Sequence, residues 1–180
     1  MTPTRAIALN ALSLYAVALL LAAAFAAQFL LNELPCPLCL LQRVMFALLA
    51  VGPILNIRSG PCPSHYAMSL LAAVVGAVVS SRQVLLHILP GDAGYGSALF
   101  GFHYYTWALI GFVAAIVLLS VMLLFDRQFD KDTKSAPGAF ATVAVWLVIA
   151  LVAANAASTL LECGFKACAD NPVVYELLKR

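Results

Sequence analysis

The sequence predicts an all-α, polytopic transmembrane helical bundle of five spans, and three observations lead there. Of its 180 residues, 64% are hydrophobic and only 10% are charged, whereas soluble domains carry about 25% charged residues. Mean hydropathy is +0.99. Apolar runs of spanning length, about 20 residues each, recur five times between short polar or Pro/Gly breaks. The net charge of +2 comes without a basic cluster, so no nucleic-acid partner is expected.

The spans are expected at roughly 6–32, 39–57, 66–89, 104–125 and 139–161. The first apolar stretch, Ala6 to Leu31, is about 26 residues, too long for the 7–15-residue apolar region of a removable signal. It reads as an uncleaved span. Pro35 and Pro37 separate it from the second, and "NIRSGPCPSH" separates the second from the third. "PGDAGYGSALFG" follows the third, and "DRQFDKDTKSAPG" the fourth. In that last break Asp126, Asp130, Lys131 and Lys134 mix both signs, as a solvated loop does. With no internal repeat or low-complexity linker, residues 1–180 read as one membrane domain, with 162–180 as a tail.

Lys and Arg gather on the cytoplasmic side of a bundle. Arg5, Arg58, Arg127, Lys131 and Lys134 fall on one side, and the opposite loops, 33–38 and 90–103, hold neither residue type. The tail departs from this bias with Lys166, Lys179 and Arg180. The expected placement is a multi-pass membrane protein with its N-terminus cytoplasmic and its C-terminus on the outer side. Cys36, Cys39, Cys163 and Cys168 then all fall on the outer side, where an oxidising compartment permits disulfides. Cys62 falls on the other side and reads as a bystander.

The stretch "NELPCPLCLLQR" carries the most chemistry. Proline is tolerated in the first turn of a helix, so Pro37 puts Cys36 at the N-cap and Cys39 at the third helical position. Unpaired N–H groups and the helix dipole stabilise an anion there and lower cysteine pKa values. Arg43, four residues beyond Cys39, shares its face, and an arginine inside a span is a functional candidate by default. A static disulfide and half of a zinc site are the alternatives. Zinc would want two further Cys or His ligands beside the pair, none is there, and no metal is expected. C-x-x-C is the redox spacing.

"ECGFKAC" supplies a second pair, Cys163 and Cys168, either a structural staple or an exchange-active dithiol. Exposed disulfides in flexible segments tend to be the labile ones. Beyond it Val173, Val174, Leu177 and Leu178 fall on one helical stripe, expected on the membrane surface. A dithiol at a membrane edge can pass two electrons to a lipid-soluble carrier, and a quinone (ubiquinone or menaquinone) is the evident one. Its site would need an apolar crevice with a cationic or hydrogen-bonding group for the oxygen. Arg43 and His87 are the candidates; Arg82 and Gln83 could instead serve within the bundle. Tyr and Trp in "FHYYTW" read as an interfacial belt, and Gln28 as a helix–helix hydrogen bond.

The C-P-L-C opening the second span, with "LLQR" after it, resembles the DsbB family of membrane thiol–quinone oxidoreductases, and "SRQVLLHILPGD" resembles the end of that family's third span. The resemblance runs over roughly residues 6–125 and implies a four-helix core to which this chain adds a fifth helix. It implies that Cys36 and Cys39 are the quinone-facing pair, that Arg43 supports quinone and thiolate, and that His87 lies near the quinone. It further implies a periplasmic, thioredoxin-fold partner resembling DsbA, reoxidised through a second pair. That pair normally lies in the loop between spans three and four, but loop 90–103 has no cysteine here; Cys163 and Cys168 are inferred to take its role. Three rivals remain. One is a conduit reducing periplasmic disulfides, and another a vitamin K epoxide reductase-like bundle. The third is a non-enzymatic membrane subunit with stapled ends.

Overall fold

The computed structural model describes residues 2–129 and 137–179, so Asp130, Lys131, Lys134 and Arg180 of the charge pattern lie outside the described residues. The architecture is an all-α polytopic bundle with five helices long and apolar enough to cross a membrane. Helix α1 spans Pro3–Leu30; α2, Pro37–Leu49, and α3, Val51–Ser59, together make the second crossing. Helices α4, Pro63–Leu86, α5, Tyr104–Leu123, and α6, Ala139–Cys163, complete the set. Prolines stand in the first turn of α1, α2 and α4, where the missing N–H leaves no bond unmade.

The second crossing is interrupted at Ala50, and the cause is Pro53. Proline has no N–H to give the carbonyl four residues earlier, which is that of Leu49. An orphaned carbonyl is costly inside a bilayer. The Ser69 hydroxyl of α4 supplies the missing donor at 2.7 Å and accepts the Gly52 N–H at 3.2 Å. A side chain at Gly52 would meet Ser69 and the His65 backbone, so the interruption also brings α3 and α4 together.

The core forms where small residues let helices approach. Ala11, Leu14, Ala18 and Leu21 recur on one face of α1, and Ala141, Ala144, Val145 and Val148 do the same on α6. Phe46 of α2 stacks on Phe112 of α5 with centroids 4.0 Å apart, and Gly76 of α4 leaves room for the Phe112 ring. At the end of the bundle that holds the α1 N-terminus, a buried network ties α1, α3 and α4. Asn10 Nδ2 donates to Tyr66 Oη at 2.8 Å and Asn56 Nδ2 to Asn10 Oδ1 at 2.9 Å, while Tyr66 Oη donates to Gln128 Oε1 at 2.9 Å.

Helix α5 buries only Tyr105, Ala108 and Phe112. It lies along α4, whereas α1 packs on α3 and α6, and the space between α1 and α5 becomes important below. Elsewhere Leu19, Leu71, Leu118 and Trp146 are exposed, as lipid-facing side chains are.

Two local expectations are corrected, and one loop holds an element of its own. Arg82 is exposed beside Val78, Leu85 and Ile116 rather than paired within the bundle; it lies on the outward face of α4, one residue before the buried Gln83. The stripe Val173, Val174, Leu177 and Leu178 does not lie on a tail helix. Only a single 3₁₀ turn forms, Glu176–Leu178, because so short a segment cannot repay helix nucleation. The α4–α5 loop contains a two-residue antiparallel hairpin, β1 Ala98–Leu99 with β2 Phe102–His103. Gly91, Gly94, Gly96 and Gly101 adopt positive φ in that loop.

Replacing Ser69 with Ala leaves the Leu49 carbonyl without its donor. The variant is expected to lose about 1–3 kcal/mol, the usual cost of a buried polar group left unsatisfied, read as a lower thermal midpoint in detergent with the disulfides intact.

Candidate functional site

The chain leaves α1 through Asn32 at positive φ and enters α2 through two prolines flanking Cys36. Cys36 is in extended geometry at the N-cap, and its Sγ accepts the Cys39 N–H at 3.2 Å. Cys39 is therefore the third helical residue, and the two form a disulfide with Cα atoms 5.0 Å apart. Whichever sulfur is released on reduction is born at the positive end of a helix.

A side chain from another helix completes the arrangement. Gln83 of α4 is buried, and its Nε2 donates to Cys36 Sγ at 3.3 Å and Cys39 Sγ at 3.5 Å. Its amide is held in that sense by Gln42, whose Nε2 donates to Gln83 Oε1 at 2.9 Å. Gln83 thus carries a role beyond the within-bundle one expected from sequence, and Gln42 was not singled out there. The signal available was an amide inside an apolar span, since intramembrane polar groups pair and mark sites.

Arg43 points toward α1 and α6. Its Nη1 donates to Gln28 Oε1 at 2.8 Å and Asn155 Oδ1 at 3.4 Å, its Nη2 to the Ala24 carbonyl at 2.9 Å, and its guanidinium lies 5.6 Å from the Phe25 ring centroid. These three bonds leave part of the five-donor fork free. Gln28 in turn donates to Ser158 Oγ at 2.8 Å and Tyr175 Oη at 3.0 Å, so one amide joins the arginine, α6 and the tail.

A cavity of about 400 Å³ opens between α1, α2 and α5. Its wall includes Ala24 and Ala27, Cys39 and Arg43, and Tyr105 and Trp107. Leu20, Phe46 and Gly111 are shared with a second apolar cavity of about 630 Å³ that continues toward the other end of the bundle. The outer lip is set by the α4–α5 loop. Tyr95 Oη donates to the Leu34 carbonyl at 2.6 Å, and Ser97 bonds Glu33. Burial, then the nearby carboxylates of Glu162 and Glu33, push the Tyr95 hydroxyl above its usual range, so it remains a donor.

His87 ends α4 and stands outside the cavity wall. Its Nδ1 lies 3.0 Å from Asp92 Oδ1, and its ring stacks on Tyr105 at 5.6 Å between centroids. The Gly94 N–H, and then His87, hold the Asp92 carboxyl below its usual range. The aromatic run expected as an interfacial belt therefore also builds the site: Tyr105 is a cavity wall with His87 behind it, and Trp107 Nε1 donates to the Leu99 carbonyl at 3.0 Å.

The second disulfide, Cys163–Cys168, closes the end of α6. Gly164, at φ 65 and ψ −140, ends that helix in a conformation only glycine adopts freely. Cys163 is buried and Cys168 half-buried. Through Tyr175 and Gln28 the tail is tied to the same end of the bundle as the first disulfide. No hydrogen bond joins the two disulfides among the described residues; Arg43, Gln28, Ser158 and Tyr175 form the bonded path between their helices.

Replacing Gln83 with Leu removes the donors to both sulfurs. A hydrogen bond to a charged group is worth about 1.5–3 kcal/mol, and about 1.4 kcal/mol corresponds to 30 mV for a two-electron couple. The Cys36–Cys39 pair of the variant is expected to be harder to reduce by about 30–60 mV, measured by equilibration against dithiothreitol and thiol counting by mass spectrometry.

Comparisons with known proteins fit this geometry. The family model "Disulfide bond formation protein DsbB" matches residues 5–95, just over half of the chain. That stretch contains Cys36, Cys39, Arg43, Gln83 and His87 but not α5, α6 or the second disulfide. A protein named "Disulfide bond formation protein B" from Xanthomonas axonopodis pv. citri (strain 306) is 40% identical over 86 residues, 45% of this chain and 50% of the relative. One of the same name from Burkholderia pseudomallei (strain 1106a) is 29% identical over 142 residues, 60% of this chain and 83% of the relative. The chain spans about half the length of the Xanthomonas relative. No solved structure gives a significant match. With five membrane-spanning helices and a cysteine pair capping the second span within the matched region, the chain belongs to the DsbB family.

Proposed function

We propose that the chain is a thiol–quinone oxidoreductase that generates disulfides: it reoxidises a DsbA-like, thioredoxin-fold dithiol oxidant of the periplasm and passes two electrons to membrane quinone. The observation that carries this reading is the position of Cys39, which is at once half of a disulfide and part of the wall of an apolar cavity that also holds Arg43.

The cavity fits a quinone by its chemistry. Ligand pockets of about 300–1,000 Å³ with apolar walls and few polar groups suit small aromatic ligands, and the apolar continuation past Leu20, Phe46 and Gly111 suits a prenyl chain. Bound quinone would supply a two-electron, two-proton acceptor. Arg43 would hold its oxygen through the donors left free, Tyr105 and Trp107 would give the ring an aromatic wall, and His87 would brace Tyr105.

The chain's own sulfurs divide the remaining work. A partner thiolate attacks Cys168, the more accessible sulfur of the tail pair, and Cys163 leaves as a thiol, carrying the proton of the partner's second thiol. The partner's second thiolate then resolves the mixed disulfide, so the partner leaves oxidised and the tail pair holds the two electrons. Attack by Cys163 on Cys36 expels Cys39 as thiolate at the cavity wall, where the helix N-terminus and Gln83 stabilise it. Resolution by Cys168 restores the tail disulfide and leaves Cys36 and Cys39 reduced. The orientation that serves this, with the N-terminus cytoplasmic and both disulfides periplasmic, is supported by Arg5, Arg58 and Arg127 lying in the segments at the other end.

The test is quinone reduction by purified protein in detergent, driven by a reduced thioredoxin-fold oxidant and followed by absorbance. Cys36→Ala and the double variant Cys163→Ala/Cys168→Ala are both expected to abolish turnover. Turnover that survives the double variant overturns the two-pair relay, and none with any thiol donor or quinone overturns the enzyme reading. Arg43→Met is expected to raise the KM for quinone about ten- to a hundredfold, as loss of a charge-assisted hydrogen bond implies. His87→Ala should change it by less than about threefold if the ring acts only as a brace.

A further inference from the structure

Glu162 is the penultimate residue of α6, directly before Cys163. It is 2% exposed, and among the described residues neither carboxylate oxygen has a hydrogen-bond partner. Buried carboxylates are ordinarily hydrogen-bonded or ion-paired, so this one is not explained as a strut. The groups acting on it come from two other elements. Arg43 of α2 and Tyr95 of the α4–α5 loop interact with it electrostatically. Tyr175 of the tail acts on the same Arg43, and Glu33 on the same Tyr95. The α1 side contributes Gln28, which is neutral and already committed to Arg43, Ser158 and Tyr175. Glu162 is therefore tied to both disulfide regions: Cys163 adjoins it along the chain, and it interacts across the bundle with Arg43, from the helix that Cys36 caps, and with Tyr95, which is bonded to Leu34 two residues before Cys36.

We propose that Glu162 is the proton acceptor for transfer of electrons from the Cys163–Cys168 pair to the Cys36–Cys39 pair. This rests on the two-pair relay. Exchange needs a thiolate, and Cys163 is buried away from bulk water. The Glu162 carboxylate takes the proton of the Cys163 thiol, and the resulting thiolate attacks Cys36 Sγ. The Cys163–Cys36 bond forms, the Cys36–Cys39 bond breaks, and Cys39 leaves with the electron pair. Cys168, deprotonated by solvent, then attacks Cys163 and expels Cys36. The tail pair is oxidised, the helix pair is reduced, and the proton held by Glu162 returns to one of the two released thiolates. Arg43 balances the charge while Glu162 is ionised. Neutralising the carboxylate thus slows the step between the pairs without touching the step from the partner.

The experiment uses full-length, quinone-free protein in detergent with both disulfides formed. A limiting amount of dithiothreitol is added, samples are quenched in acid, and thiols are alkylated and assigned by peptide mass spectrometry. Wild type should show thiols first at Cys163 and Cys168 and then at Cys36 and Cys39. In Glu162→Gln the first phase should keep its rate, and the second should slow by about a hundredfold or more, from the lower edge of general-base contributions upward. The second phase should also lose the part of its pH dependence contributed by the carboxylate. Glu162→Asp, which keeps an ionisable group, should retain that pH profile at a reduced rate, and it decides the matter if the Gln variant does not fold. A second phase of wild-type rate and pH profile in Glu162→Gln, or an Asp variant without the wild-type profile, overturns the proposal. The relay is judged separately: if Cys163→Ser/Cys168→Ser protein acquires thiols at Cys36 and Cys39 as fast as wild type, the relay fails and the role of Glu162 fails with it.

Discussion

A guanidinium inside an apolar bundle needs several oxygens at once, and satisfying Arg43 shapes most of this end of the molecule. Its acceptors are the Ala24 carbonyl and Gln28 of α1 and Asn155 of α6. Three helices must converge on one point to provide them. Gln28 can serve only because its own amide hydrogens find Ser158 and Tyr175, so the demand of one charge is carried outward to α6 and to the tail. Remove the charge and there is little reason for Tyr175 to lie over α1. A buried ionic group is weak evidence of stability in itself; here its evident effect is on arrangement.

The other amide pair works on the opposite side of α2. Gln42 orients Gln83, and Gln83 addresses both sulfurs. Helix α2 thus presents its first two turns to two polar systems: amides against the disulfide on the α4 side, and the arginine cluster on the α1 and α6 side. The cavity lies where neither system fills the space, because α5 follows α4 and leaves α1 uncovered. An electron carrier placed there meets a sulfur, a cation and the Gln42 amide, while Gln83 stays behind the sulfur and outside the wall.

The parts of this that sequence made legible are those governed by local rules. Length and hydropathy mark the spans, and Pro37 after Cys36 identifies an N-cap, which is where Cys36 stands. What escaped were pairings between helices. Nothing in "SSRQVLL" says that Gln83 faces the sulfurs while Arg82 faces outward; adjacent helical residues differ by about 100°, and only packing chooses between them. The same limit applies to Glu162, whose burial follows from how α6 meets α1 and the outer loop. Pro53 was visible, but its consequence depended on Ser69, sixteen residues away on another helix. The tail misled for a different reason: its apolar spacing is helical, yet the segment is too short to hold a helix.

The cavity between α1 and α5 also has exposed side chains on its rim, among them Leu20, Leu99 and Ile110. Between α1 and α5 the mouth therefore opens sideways, toward the hydrocarbon. A ligand entering there never leaves the plane of the bilayer, and the quantity that governs occupancy is its mole fraction among lipids, not its concentration in the surrounding buffer. Binding curves gathered at different amounts of detergent or lipid should then coincide only when plotted against that two-dimensional density.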